Sequence, residues 1–223
     1  MKVRLPNSSQ RTVLVGRTGT GKTVAGLWHL SNYDFPIGRP WVAIDFKIDE
    51  HINSIERAAH VGLDYRFHKK DAGLFVVHPN YSEKGNADLE KFLLHIWERE
   101  NVGVLCDEAY MLGSSDAVTL CLTQGRSKRV PMVLCTQRPV WISRFAFSEA
   151  DFIQCFDLND RNDKRRIEEF VPLDFDEEVP LADHQSFYYD VSKKHLVRFN
   201  PVPDMDATRK VLEEKLPRRR FRL

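Results

Sequence analysis

The sequence predicts an α/β fold: a mostly parallel sheet with helices on both faces and an antiparallel hairpin near the C-terminus. Three observations carry this. Short apolar runs recur along the chain, and each stops at a polar residue. Segments with helical spacing fall between them. Past Pro180 the texture changes to two alternating runs around a turn.

The runs, in order, are Thr12–Val15, Trp41–Ile44, Leu74–Val77, Val102–Cys106, Met132–Cys135 and Phe152–Phe156. They are apolar on both faces, as strands covered from both sides must be. Between them, Leu89, Phe92, Leu93, Ile96 and Trp97 keep the i, i+3, i+4, i+7, i+8 spacing of one buried helix face. Lys22 to Asn32 groups Val24, Leu27 and Trp28. Arg161 to Phe170 is a charged helix with Ile167 and Phe170 inward. Ser186–Tyr189 and Leu196–Phe199 flank Asp190 to His195 as a hairpin. A last helix over Ala207 to Leu216 uses Val211 and Leu212 as core contacts and ends at Pro217. The division this suggests is 1–200 for the α/β domain and 201–223 for a C-terminal helix and basic tail.

Lys and Arg total 33 and Asp and Glu 32, a net charge of +1 that excludes a wholly basic nucleic-acid coat. No apolar run reaches the roughly 18 residues that span a bilayer, and the polar start at Met1 to Arg11 does not read as a secretory signal. Cys106, Cys121, Cys135 and Cys155 form no C-x-x-C pair, and the histidines show no ligand spacing, so buried free thiols are expected rather than a zinc site.

Gly16-Arg-Thr-Gly-Thr-Gly-Lys-Thr23 fits G-x-x-x-x-G-K-[ST] between a predicted strand and a predicted helix. Gly16, Thr18, Gly19, Thr20 and Gly21 let backbone N–H groups face phosphate oxygens at a helix N-terminus. Lys22 reaches the β- and γ-phosphates and Thr23 a Mg²⁺ ion, so ATP and Mg²⁺ are the expected ligands. Arg17 is either a further phosphate cation or a solvent-facing side chain. After Val102–Cys106 come Asp107, placed to hold the Mg²⁺ shell, and Glu108, placed to orient and deprotonate an attacking water. Gln137, just past another buried run, senses the γ-phosphate or holds the water if its strand lies beside the loop strand. The pairing argues for hydrolysis over transfer to a small acceptor.

The stretch Gly125-Arg-Ser-Lys-Arg-Val-Pro-Met-Val-Leu-Cys-Thr-Gln-Arg-Pro139 resembles the sensor region of the FtsK–HerA superfamily of DNA-pumping P-loop ATPases. Asp45-Phe-Lys47 resembles the D-P-K step of that superfamily, and Phe156-Asp-Leu-Asn-Asp160 with Arg161 its segment after T-Q-R-P. The resemblance covers roughly Thr12 to Ile167. It implies a RecA-like sheet with the sensor strand between the loop strand and the Asp-Glu strand. It also implies a ring, usually of six subunits, with an arginine from the neighbour completing each site. Arg126 is the first candidate and Arg129 the second; the alternative is an ordinary surface cation.

Within the superfamily, size and lack of spans make the chain most similar to the genome-packaging ATPases of tailless icosahedral double-stranded DNA viruses. The implied partners are double-stranded DNA and capsid or portal-vertex proteins, in the host cytoplasm or at a virion vertex. Competing readings are a plasmid or mobile-element transfer or filamentous-phage assembly ATPase, a slow docking switch, and a small-molecule kinase. The kinase is disfavoured because no acceptor pocket or lid is legible. Lys128, Arg129 and Gly113–Ser115 are candidate DNA contacts. Five cations between Lys215 and Leu223 are read as contacts to DNA or an acidic protein, or as a solvated end.

Overall fold

The computed structural model describes residues 3–218, apart from Ser8 and Tyr81. Its strands are β1 (Arg11–Val15), β2 (Trp41–Asp45), β3 (Ala59–His60), β4 (Leu74–Val77), β5 (Gly103–Asp107), β6 (Met132–Thr136), β7 (Phe152–Cys155), β8 (Ser186–Asp190) and β9 (His195–Phe199). The helices are α1 (Lys22–Ser31), α2 (Glu50–Asn53), α3 (Glu83–Arg99), α4 (Asp116–Gln124), α5 (Arg144–Ser148), α6 (Arg161–Glu168) and α7 (Met205–Lys215). The strands form one sheet in the order β3-β4-β2-β5-β6-β1-β7-β8-β9. The pairings from β3 to β7 are parallel, and β8 and β9 add antiparallel on the β7 edge. The expected hairpin thus extends the main sheet, and β6 does lie between β1 and β5.

Strand residues alternate between two cores, which is why both faces had to be apolar. Val13, Val15, Val42, Ile44, Val104, Cys106 and Leu134 join the core that holds Leu89, Phe92, Leu93 and Ile96 of α3. Each of those four α3 side chains gains roughly 1.5–3 kcal/mol by leaving water, which fixes α3 on this face. Leu14, Ala43, Leu105, Val133 and Cys135 face the other way, onto Leu27 and Leu30 of α1 and Leu212 of α7. All four cysteines are buried free thiols.

Two expected helix faces are corrected. On α1 the buried residues are Lys22, Ala25, Gly26, Leu27, His29, Leu30 and Ser31, while Val24 and Trp28 are half-buried; the helix packs against α7 as well as against the sheet. On α7 the inward row is Thr208, Leu212 and the following Leu216, and Val211 is exposed. Positions i, i+4 and i+8 share a helical face; adjacent Val211 and Leu212 do not. Lys215 bonds the Tyr33 carbonyl (3.2 Å) and pairs with Asp34 (3.7 Å). The tail cations Arg219, Arg220 and Arg222 lie outside the described residues. Among those described, no helix is long and apolar enough to cross a membrane.

Candidate active site

The C-terminal ends of β1, β5 and β6 meet at one rim of the sheet, where open α/β folds place ligands. Past β1 the chain turns at Gly16, where a Cβ would stand 2.6 Å from the Phe156 Cβ. The turn is tied to both neighbouring strands: the Gly16 N–H donates to the Thr136 carbonyl (3.2 Å) and the Arg17 N–H to that of Asp157 (2.8 Å). Gly21, in the left-handed region (φ 88°), is the N-cap of α1 and brings no side-chain acceptor to the helix N-terminus. Its first-turn amides are therefore left for an anion. The Lys22 ammonium is buried and bonds the Arg17 carbonyl inside the loop (2.9 Å). Burial pulls its pKa down, and the Lys47 charge acts in the same direction against the pull of Asp107. Arg17 itself pairs with Asp157 (2.7 Å), which answers its half-exposed charge locally.

Asp107 ends β5 and is almost wholly buried; its Oδ2 accepts from the Thr23 hydroxyl at 3.4 Å. Burial raises its pKa to about 6; Lys47 and Lys22 oppose that rise, while Asp49 and Asp45 add to it. Glu108 follows in a left-handed conformation (φ 54°, ψ 51°), with only 3% of its surface exposed. A non-glycine residue there costs on the order of 1 kcal/mol. Lys47 pairs with Glu108 Oε1, and Glu108 Oε2 is buried without a partner. Gln137, one residue past β6, accepts from the Thr18 hydroxyl at 2.5 Å. The predicted cradle, acidic pair and Gln137 thus stand together.

This set fits a Mg²⁺–nucleotide. Thr23 and Asp107 offer two hard oxygens, and no group of three or more metal-ligating side chains occurs among the described residues. Mg²⁺ suits such a site, because it takes one or two protein oxygens and fills its shell with water and phosphate.

Arg126 is not brought to the cradle. It lies on the turn after α4, with its guanidinium 3.8 Å from Asp151, which in turn accepts from the Arg11 N–H where β1 begins. That is the opposite rim, a strand length of about 17 Å from the phosphate loop. Within one chain it does not serve the site. Arg129, exposed with φ 53°, lies on the same turn.

Two further features border the phosphate loop and the acidic pair. Asp45 is fully buried at the end of β2, in register with Asp107. Its carboxylate accepts from the N–H groups of Lys47 (3.1 Å) and Asp49 (2.9 Å) and from Asn53 Nδ2 (3.0 Å). This turn delivers Lys47 to Glu108, and its one sequence signal is the resemblance of Asp45-Phe-Lys47 to the D-P-K step. His184 has none. Its Nδ1 stands 3.0 Å from where a Cβ on Gly21 would be, so the chain before β8 passes over the phosphate loop. Arg198 holds that segment by donating to the carbonyls of Val179 (2.7 Å) and Pro180 (3.2 Å).

No protein-family model matches the chain. It is 43% identical over 216 residues to the DNA packaging ATPase P9 of Enterobacteria phage PRD1, with 93% of each chain covered. The fold is shared with the genome packaging NTPase B204 of Sulfolobus turreted icosahedral virus 2 in complex with AMPPCP. There the TM-score is 0.70 at 20% identity, covering 89% of this chain and 100% of that one. VirB4 of Thermoanaerobacter pseudethanolicus also superposes, with a TM-score of 0.63 at 8% identity over 90% and 92% of the two chains. With that identity to the phage protein along nearly its whole length, the chain belongs to the family of the DNA packaging ATPases.

Proposed function

We propose that the chain hydrolyses Mg²⁺-bound ATP at the C-terminal rim and uses the cycle to drive double-stranded DNA into a preformed capsid. The convergence of the phosphate loop, Asp107, Glu108 and Gln137 at that one rim carries the reading. The loop amides and Lys22 hold the β- and γ-phosphates. Thr23 and Asp107 would hold a Mg²⁺ ion, which would supply positive charge to the phosphates. Glu108 orients the water and takes its proton, and Gln137 reads the γ-phosphate from the strand beside the loop.

Arg126 stands at the far rim of its own sheet, so its candidate role is to complete the site of the next subunit in a ring, for which six copies is the expected number. DNA would be gripped through its phosphates, without regard to sequence. Capsid or portal-vertex proteins are the proposed docking partners, in the host cytoplasm during assembly or at a virion vertex.

The test is ATP turnover with and without double-stranded DNA, alongside the mass of the particle formed with MgATP and DNA. The motor reading expects DNA-stimulated turnover and a closed oligomer. Equal rates on a monomer would end it.

A further inference from the structure

Lys47 is fixed at its backbone, while its half-exposed side chain is tied only through its ammonium. Asp45 fixes its backbone through the 3.1 Å hydrogen bond from the Lys47 N–H, while its side chain is 47% exposed. The ammonium meets Glu108 Oε1, the oxygen of a carboxylate that is otherwise buried and whose second oxygen has no partner. A carboxylate engaged by an ammonium is a poorer acceptor for a water proton. The contact thus occupies the group that the proposed mechanism needs as a base.

The positions of the other cations say where Lys47 can go. Lys47 pairs with Glu108, Glu108 directly follows Asp107, and Asp107 accepts from Thr23, the neighbour of Lys22, so Lys47 and the phosphate loop meet at the same corner of the rim. Lys22 directs its own ammonium inward, onto the Arg17 carbonyl. A γ-phosphate bound between loop and acidic pair would carry more charge than one carboxylate and would offer the half-exposed lysine a second partner.

We propose that Lys47 exchanges partners when ATP binds, leaving the Glu108 carboxylate for a γ-phosphate oxygen, so that arrival of the third phosphate frees the base. ADP, which lacks that phosphate, leaves Lys47 on Glu108. The proposal rests on the reading of Glu108 as the base. No bond is made or broken in the exchange; one ion pair replaces another.

The experiment compares the affinities of wild type, Lys47→Met and Lys47→Arg for a Mg²⁺-bound non-hydrolysable ATP analogue and for MgADP, by titration calorimetry. The ratio of the two affinities cancels any change that the substitution makes to the unliganded protein. Lys47→Met should lower that ratio at least about tenfold, with ADP affinity held within about twofold, because the contact to the more highly charged γ-phosphate outweighs the Glu108 pair that wild type gives up for it. Lys47→Arg should keep the ratio within about threefold of wild type, since it retains the charge and the reach. Lys47→Gln replaces Lys47→Met if the latter melts below the assay temperature.

An unchanged ratio overturns the exchange. So does a rise in DNA-free turnover in Lys47→Met with an unchanged ratio, because Lys47 would then be restraining Glu108 throughout the cycle. Glu108→Gln separates the two claims. If it hydrolyses ATP at the wild-type rate, the base reading fails whatever Lys47 does. If it is inactive while the Lys47→Met ratio is normal, the base stands and the exchange fails.

Discussion

The catalytic rim and the antiparallel flank both bury polar groups, and they treat them in opposite ways. At the rim, Glu108 keeps an unpartnered buried oxygen, Asp107 is pushed up to about 6, and Lys22 is pulled down, chiefly by burial in each ionisation. On the flank, Gln154 of β7 spends both ends of its amide, meeting His29 Nε2 (2.7 Å) and the Ser186 hydroxyl (2.9 Å). Arg4 closes the same flank with a two-pronged bond to Asp190 (2.7 and 2.8 Å). The rim holds desolvated charges that a phosphate and its metal would satisfy. On the flank the fold itself satisfies Gln154 and Asp190, and an exception there is His29, whose second ring nitrogen Nδ1 is buried without a partner. Removing rim charges should therefore harm function and spare stability, and removing flank groups should do the reverse.

The largest effect is expected from Lys22→Ala. Several charge-assisted contacts to the phosphates go at once, so MgATP affinity should fall at least about a thousandfold. The melting temperature should hold or rise, because a desolvated charge has been removed. A variant that binds normally, or one that unfolds, would break the contrast. Glu108→Gln comes next, with turnover slower by at least about a hundredfold, the low end of what a positioned base contributes. Its binding of MgATP should persist, and its melting point should not fall, as read by calorimetry and by thermal unfolding of the same sample.

The third prediction moves to the flank and to pH. His29 is fully buried, and burial takes its pKa down to about 4, against the hydrogen bond with Gln154 that favours the charged form. The unfolded chain, with an ordinary value near 6.5, binds the proton first. Stability from this group is thus complete above about pH 6.5 and is lost as pH falls toward 4, by on the order of 3 kcal/mol. Urea unfolding across that window, compared with His29→Gln, isolates the contribution. The difference between the two proteins should shrink on acidification, and a constant difference would contradict it.

How much of this was legible in the sequence follows from how local each feature is. The phosphate loop is consecutive, and its strand and helix flank it directly, so one motif placed seven residues. Asp107, Glu108 and Gln137 were found because each follows an apolar run, and in parallel sheets such ends gather on one rim. The Lys47–Glu108 contact depends on β2 lying beside β5, which no local pattern states. His184 reaches Gly21 from a segment with neither motif nor periodicity. Short elements were missed for a related reason: α5 and β3 span too few residues to show a period, and α4 begins at a Ser115 cap inside what reads as a loop. The error at Val211 came from an apolar pair read as one face, although only Leu212 falls in line with Thr208 and Leu216.

The smallest effect, and the cleanest test of the flank, is Arg4→Met. Its guanidinium bonds Asp190 and Ser192 and lies 4.7 Å from the Phe152 ring centre, while its carbonyl accepts from the Tyr188 hydroxyl (3.1 Å). Asp190 is buried, which alone would raise its pKa, but the bonds from Arg4, Ser192 and the Lys193 N–H outweigh that and hold it low. Methionine keeps much of the stem over Phe152 and removes the charge. Asp190 then keeps only the Ser192 and Lys193 bonds. Since Arg4 is 40% exposed, solvent screens part of the pair, and the cost should be about 1 kcal/mol, or about 2–4 °C in melting temperature for a chain of this size. MgATP affinity and turnover should match wild type. If turnover falls while the melting point holds, the flank is coupled to the site, for instance through the segment that carries His184 over Gly21, and the division between a fastening flank and a working rim would have to be redrawn.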